Sequence, residues 1–280
     1  MMIKKLGLDY YRNNADVNSG YYEYLLIVDV LKGVKNIDDV IILIGGAITD
    51  KENEQLSEML QANKMTKIFI ATDLYCLDKC SKIVGLCDYV LGQFHCLPSK
   101  YDWLKNYSYN YVPELFFKYN KVVDKIYKDV LFFGGGLNDG RDITLKKYHD
   151  ECFMQCFVKH GNVDNRLSYD KYYDTAMAYK YHLIIARDLY TKYNWVTSRY
   201  VECISMESIP VVDISYDADN HFKIPGFFRV QTGREAKHLM NYCNMPGNVD
   251  FVKSMLYECK RNIKDKQLCL KEIIEEIIEN

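Results

Sequence analysis

The sequence predicts an α/β protein made of two Rossmann-like lobes, each a parallel sheet dressed with helices. Three observations predict it. The chain has 280 residues, more than one compact domain usually needs and fewer than three would use. Hydrophobic residues make up 49% and charged residues 26%, the balance of a globular chain with a sizeable core. Short apolar runs bounded by turn residues alternate with longer amphipathic stretches, as they do when helices link parallel strands, and this alternation occurs in two series.

The first series opens with an amphipathic helix over 21–31 (YYEYLLIVDVL), for which Asn18, Ser19 and Gly20 are capping candidates. Strands follow at 40–44 (VIILI), 67–71 (KIFIA) and 88–91 (DYVL), with an exposed helix over 50–60. The second series has strands at 130–133, 153–158, 182–186, 209–213 and 227–230, and helices over 141–150, 169–179, 197–206 and 235–242. Residues 107–128 read as the connection between lobes, and from Val249 onward the pattern is one long helical stretch ending in KEIIEEIIEN. The expected domains are therefore 1–127, 128–248 and a C-terminal helical segment 249–280. No internal repeat or low-complexity tract interrupts them.

Composition narrows the function. No stretch approaches the roughly 20 consecutive apolar residues of a membrane span, and MMIKKLGLDYY lacks the apolar core of a signal peptide. The expectation is a cytoplasmic protein with no membrane partner, whose ten cysteines are reduced. The pairs Cys76/Cys80 and Cys152/Cys156 have a spacing that puts two thiols on one helical face, either as metal ligands or as small buried hydrophobes. No third and fourth ligand follows at a matching spacing, so no metal site is assigned. A net charge of -2 gives no overall basic surplus for nucleic acid. Lys118, Lys121, Lys125 and Lys128 would nevertheless form one basic stripe on a helix, either a phosphate track or a solvated face.

The sharpest local signal is Val130-Leu-Phe-Phe-Gly134-Gly135-Gly136-Leu-Asn-Asp-Gly140-Arg141, a strand running into a glycine-rich turn and then a helix. Glycines let the backbone approach a ligand, and free amides at a helix start attract an anion; the other reading is a plain tight turn. The run is neither G-x-G-x-x-G nor a Walker loop, so it argues for neither a dehydrogenase nor a P-loop kinase. Trp195-Val-Thr-Ser-Arg199-Tyr-Val-Glu202 sets an arginine and a glutamate three apart on one helical face. Such a pair either grips a nucleoside diphosphate, with guanidinium on phosphate and carboxylate on ribose, or is an intrahelical salt bridge. Asp73 follows the strand KIFIAT, at the carboxyl end of the first sheet, where it serves as a base or as a helix cap. Asp217-Ala-Asp219 reads as solvated turn aspartates rather than as a metal pair. His95 and Cys96 are adjacent and point apart.

In this order the pieces resemble the DNA β-glucosyltransferases of T-even phages, which have the GT-B architecture of two Rossmann-like lobes with a cleft between them. The similarity is strongest over Leu183–Asp213 (LIIARDLYTKYNWVTSRYVECISMESIPVVD), where the strand, Asp188, the aromatic-rich turn, Arg199, Glu202 and the second strand fall without a gap. VLFFGGGLNDGR resembles the donor loop, in which the family carries two arginines and this chain has Asn138 and Arg141. The resemblance implies donor contacts at Gly135, Gly136, Arg141, Gly161, Leu167, Tyr169, Asp188, Arg199 and Glu202. It also implies Glu23 on the sugar and acceptor side and Asp73 as catalytic base. The implied activity is inverting transfer of a sugar, glucose first, from a UDP-sugar to a hydroxymethylated pyrimidine such as 5-hydroxymethylcytosine in double-stranded DNA. No cofactor is required, and a divalent ion is compatible. The alternatives are a GT-B glycosyltransferase with another donor or acceptor (a pentose donor, hydroxymethyluracil or a glycan) and a non-catalytic nucleotide- or DNA-binding protein on the same scaffold.

Overall fold

The computed structural model describes residues 27, 30–45, 50–71, 77, 80–92, 108–110, 125–135, 141–149, 154–159, 169–192, 195–265 and 270–280. Contacts divide the chain into two compact units, Met1–Pro113 with Leu268–Asn280, and Glu114–Gln267.

In the first unit β1 (Val40–Ile44), α1 (Asp50–Ala62), β2 (Thr66–Ile70), α2 (Ser81–Val84), β3 (Tyr89–Gly92) and β4 (Ser108–Asn110) follow one another. The strands form a parallel sheet in the order β1-β2-β3-β4. All five residues of β1 are buried, as expected of a parallel strand covered on both faces. Val40, Ile42 and Ile44 point to one side, where they share a core with Ile68, Ile70, Leu91 and the helical residues Ile27 and Leu31. The alternate residues Ile41, Leu43 and Phe69 are equally buried. α1 was expected to be exposed; instead Leu56 and Leu60, four apart, form a buried stripe along it.

The second unit contains β5 (Ile126–Gly135), α3 (Arg141–His149), β6 (Met154–Lys159), α4 (Tyr169–Ala178), β7 (Tyr179–Ile184), α5 (Asp188–Lys192), α6 (Arg199–Ser205), β8 (Ile209–Asp213), β9 (Arg229–Val230), α7 (Gly233–Asn244) and α8 (Val249–Lys264). Its strands are all parallel, in the order β6-β5-β7-β8-β9. The chain leaves β5 for β6 on one side and returns to β7 on the other. That reversal marks where an open parallel sheet leaves a crevice beyond its strand ends.

Several sequence expectations are corrected. β5 starts at Ile126, so Lys128 lies in a strand and Lys125 just before it; the lysine series does not form one helical stripe there. Lys125 instead donates to the Met206 carbonyl (2.7 Å) and to Ser208 Oγ (2.8 Å), and burial holds its pKa below the usual lysine value. Cys156 lies in β6 opposite Phe132, which removes the helical spacing from that cysteine pair. The single C-terminal helix is two: α8, and α9 (Leu270–Glu279). Leu270, Ile273, Ile274 and Ile277 of α9 join the β1–β3 core, so the chain's last helix completes the first unit.

Candidate functional site

The crossover between β7 and β8 holds the candidate site. A crossover helix runs back along the sheet, so its first residues lie near the strands' carboxyl ends. α6 follows this rule, beginning at Arg199 and ending at Ser205 just before β8. Its residues Tyr200, Cys203 and Ile204 are fully buried. The Tyr200 ring lies 5.6 Å from Phe222 and 6.5 Å from Tyr216, centre to centre. Tyr216 in turn donates to the Thr197 carbonyl at 2.6 Å, fastening the 214–225 loop to the chain entering α6.

With one helical face so anchored, Arg199, Glu202 and Met206 recur at steps of three and four and share another. They line a small crevice with Leu131 of β5 and with His182 and Ile184 of β7, the two strands that flank the reversal. Arg199 Nη1 donates to Glu202 Oε2 at 2.7 Å, and Ser198 Oγ donates to Oε1 at 2.8 Å. The Glu202 side chain is 9% exposed and that of Arg199 34%, so the carboxylate is sunk and the cation stands toward the opening. Ser198 was not singled out from the sequence; the signal for it is its place directly before Arg199.

The crevice floor is electrically quiet. His182 bonds through Nε2 to the Ala176 carbonyl at 2.8 Å, and burial pulls its pKa down to about 4, so the ring is neutral at physiological pH. Cys80, Cys87, Cys203, Cys243 and Cys259 form no disulfides, and burial pushes Cys243 and Cys259 up to about 11 and Cys87 to about 12, which leaves those three unreactive.

The neighbouring strand ends are braced. Asp213, the last residue of β8, accepts from Tyr148 Oη of α3 at 2.6 Å and from the Ser215 amide at 2.9 Å. Asp217, read from the sequence as a solvated turn residue, is buried. It accepts from the His221 and Phe222 amides and lies 3.9 Å from Arg229, while burial raises its pKa. It staples a loop whose Asp217, Asn220 and Lys223 adopt positive φ. Among the described residues no three His, Cys, Asp or Glu side chains gather as a metal site.

Arg199 and Glu202 are thus brought together on one crevice wall. Gly135 is the last residue of β5, and Arg141 and Tyr169 are the first residues of α3 and α4. Asp188 is the exposed first residue of α5, at the carboxyl side of β7. Asp73, Glu23, Gly136, Gly161 and Leu167 lie outside the described residues. No helix among the described residues is long and apolar enough to cross a membrane.

No protein-family model matches the sequence, and no curated protein matches it. Solved structures do match. The DNA-modifying enzyme β-glucosyltransferase, studied with and without uridine diphosphoglucose, aligns at a TM-score of 0.67 and 13% identity, over 94% of each chain. T4 phage β-glucosyltransferase aligns in its UDP-glucose complex at 0.62 and 12% identity, over 94% of each chain. Its complex with UDP and Mn2+ aligns at 0.61 and 13% identity, over 94% of this chain and 95% of that one. The likeness is one of fold: the protein has the two-unit parallel α/β architecture of these phage β-glucosyltransferases, the GT-B fold.

Proposed function

We propose that this protein is a UDP-sugar-dependent glycosyltransferase that moves glucose to a hydroxymethylated pyrimidine in double-stranded DNA. The observation that supports this reading best is the Arg199–Glu202 pair, set in a crevice beside the strand reversal of a fold whose solved examples bind UDP-glucose. Arginine forks onto phosphate oxygens, and a buried carboxylate accepts from ribose hydroxyls. The pair so divides a nucleoside diphosphate between them.

The reaction is a displacement at the anomeric carbon. Asp73 takes the proton of the acceptor hydroxyl as that oxygen bonds to the sugar carbon. The bond from this carbon to the β-phosphate oxygen breaks, UDP leaves with the electron pair, and the configuration inverts. Arg199 then offsets the charge that grows on the departing diphosphate. A base in duplex DNA must leave the stack to present its hydroxymethyl group.

The test is incubation of the protein with DNA containing 5-hydroxymethylcytosine, with plain DNA, and with a panel of UDP-, GDP- and TDP-sugars. Transfer that needs both UDP-glucose and the hydroxymethyl group is expected. Sugar transfer without DNA would replace the acceptor, transfer from another donor alone would replace glucose, and no turnover with any donor would leave only a binding protein.

A further inference from the structure

Ser198 occupies the position immediately before α6, where a serine hydroxyl ordinarily accepts from an amide two or three residues on. It makes no such cap bond. Its hydroxyl donates to Glu202 Oε1 instead, while Arg199 holds Oε2. The two oxygens of one buried carboxylate thus have different holders, a neutral one and a cationic one.

A carboxylate offers about four acceptor positions, so Glu202 keeps its Ser198 bond and still has room for two hydroxyls if the guanidinium withdraws. A diphosphate is the natural competitor for that guanidinium, since it is more highly charged and accepts two parallel N–H bonds. Resting on the nucleotide-binding reading above, we infer that Ser198 is a positioning residue for ribose recognition, keeping Glu202 aimed while the diphosphate draws Arg199 off Oε2. Phosphate binding then exposes the acceptor that the ribose diol uses, and the two halves of the nucleotide are read in sequence. Without Ser198 the released carboxylate has lost both of these bonds, so the bond to the diol must also order more of the side chain.

The experiment is calorimetric titration of UDP, 2′-deoxy-UDP and inorganic pyrophosphate into the unsubstituted protein, Ser198→Ala and Ser198→Thr, with melting temperatures recorded. The unsubstituted protein and Ser198→Thr should prefer UDP over its deoxy analogue by about tenfold, the size of one hydrogen bond to a charged group. Ser198→Ala should narrow that preference to about threefold or less and leave pyrophosphate affinity unchanged. Should the alanine variant not fold, Ser198→Cys keeps the shape with a weaker donor and should narrow the preference in the same direction. A ribose preference retained in Ser198→Ala, or UDP and pyrophosphate weakened together, overturns the inference. UDP binding with no ribose preference in the unsubstituted protein also overturns it and leaves the nucleotide reading standing. Absence of any UDP binding removes both.

Discussion

The two sheets of this protein are built from the same material and arranged differently. Both use parallel, near-continuously apolar strands, and β1 and β8 are each buried at all five positions. Among the described residues the first sheet adds its strands in one direction, β1 to β4. The second starts at β5, adds β6 on one side, then turns back to β7, β8 and β9 on the other. Adjacent crossovers that leave in opposite directions cannot cover the same strand ends, so a crevice opens there. The Arg199–Glu202 pair, on the helix α6, lines a crevice with residues of that sheet, whose strand β5 ends in glycines. Among the described residues, what separates the sheets is connection order, and the proposed nucleotide site sits beside the sheet that reverses.

The comparison can be broken most severely through Asp73, which follows β2 in sequence and supplies the proposed base. Asp73→Asn should lower turnover by roughly 100- to 10,000-fold, the range of general base catalysis, with UDP affinity unchanged. A calorimetric titration beside the rate measurement checks both halves of that statement. Loss of UDP binding instead would move nucleotide recognition toward the first unit.

The next effect concerns what holds the first sheet together. Ile274 of α9 is fully buried among Ile42, Ile68 and Leu91 in that unit's core. Ile274→Ala should destabilise the protein by about 2–5 kcal/mol, read from urea or thermal unfolding. A change within a few tenths of a kcal/mol would mean that the last helix contributes little to that core.

A smaller effect separates the crevice floor from the exposed charges. His182 has a native pKa of about 4 against an ordinary value near 6.5, so above pH 6.5 it is neutral folded or unfolded and adds no pH dependence. As pH falls from 6.5 toward 4, the unfolded chain binds a proton that the native ring refuses, and stability drops. Between pH 7.5 and 5 this amounts to about 2 kcal/mol, which His182→Gln should remove from the difference in unfolding free energy between those two pH values. An identical pH dependence in the variant would show that this ring is not the group responsible.

Much of this fold was legible in the sequence, because buried parallel strands are apolar runs that periodicity finds directly. VIILI at Val40–Ile44 and IPVVD at Ile209–Asp213 lie where the pattern put them. The misreadings have local causes. β7 begins at Tyr179, directly after α4 ends at Ala178, with neither glycine nor proline to mark the change. α8 and α9 share one amphipathic period across a break that also lacks both residues. Lysines at 125 and 128 disguised the start of β5, because a lysine step of three looks the same in a strand entry as on a helix. In the site, the Arg199–Glu202 spacing was visible, whereas Ser198 emerged only from the direction of its hydroxyl, which no sequence pattern encodes.

Titration of UDP into the unsubstituted protein and Arg199→Ala bears most directly on the crevice as the nucleotide site. The unsubstituted protein should bind, and the variant should bind about 10- to 100-fold more weakly, the worth of charge-assisted hydrogen bonds, at a melting temperature within a few degrees of the parent. Equal UDP affinity in the two proteins would contradict the assignment.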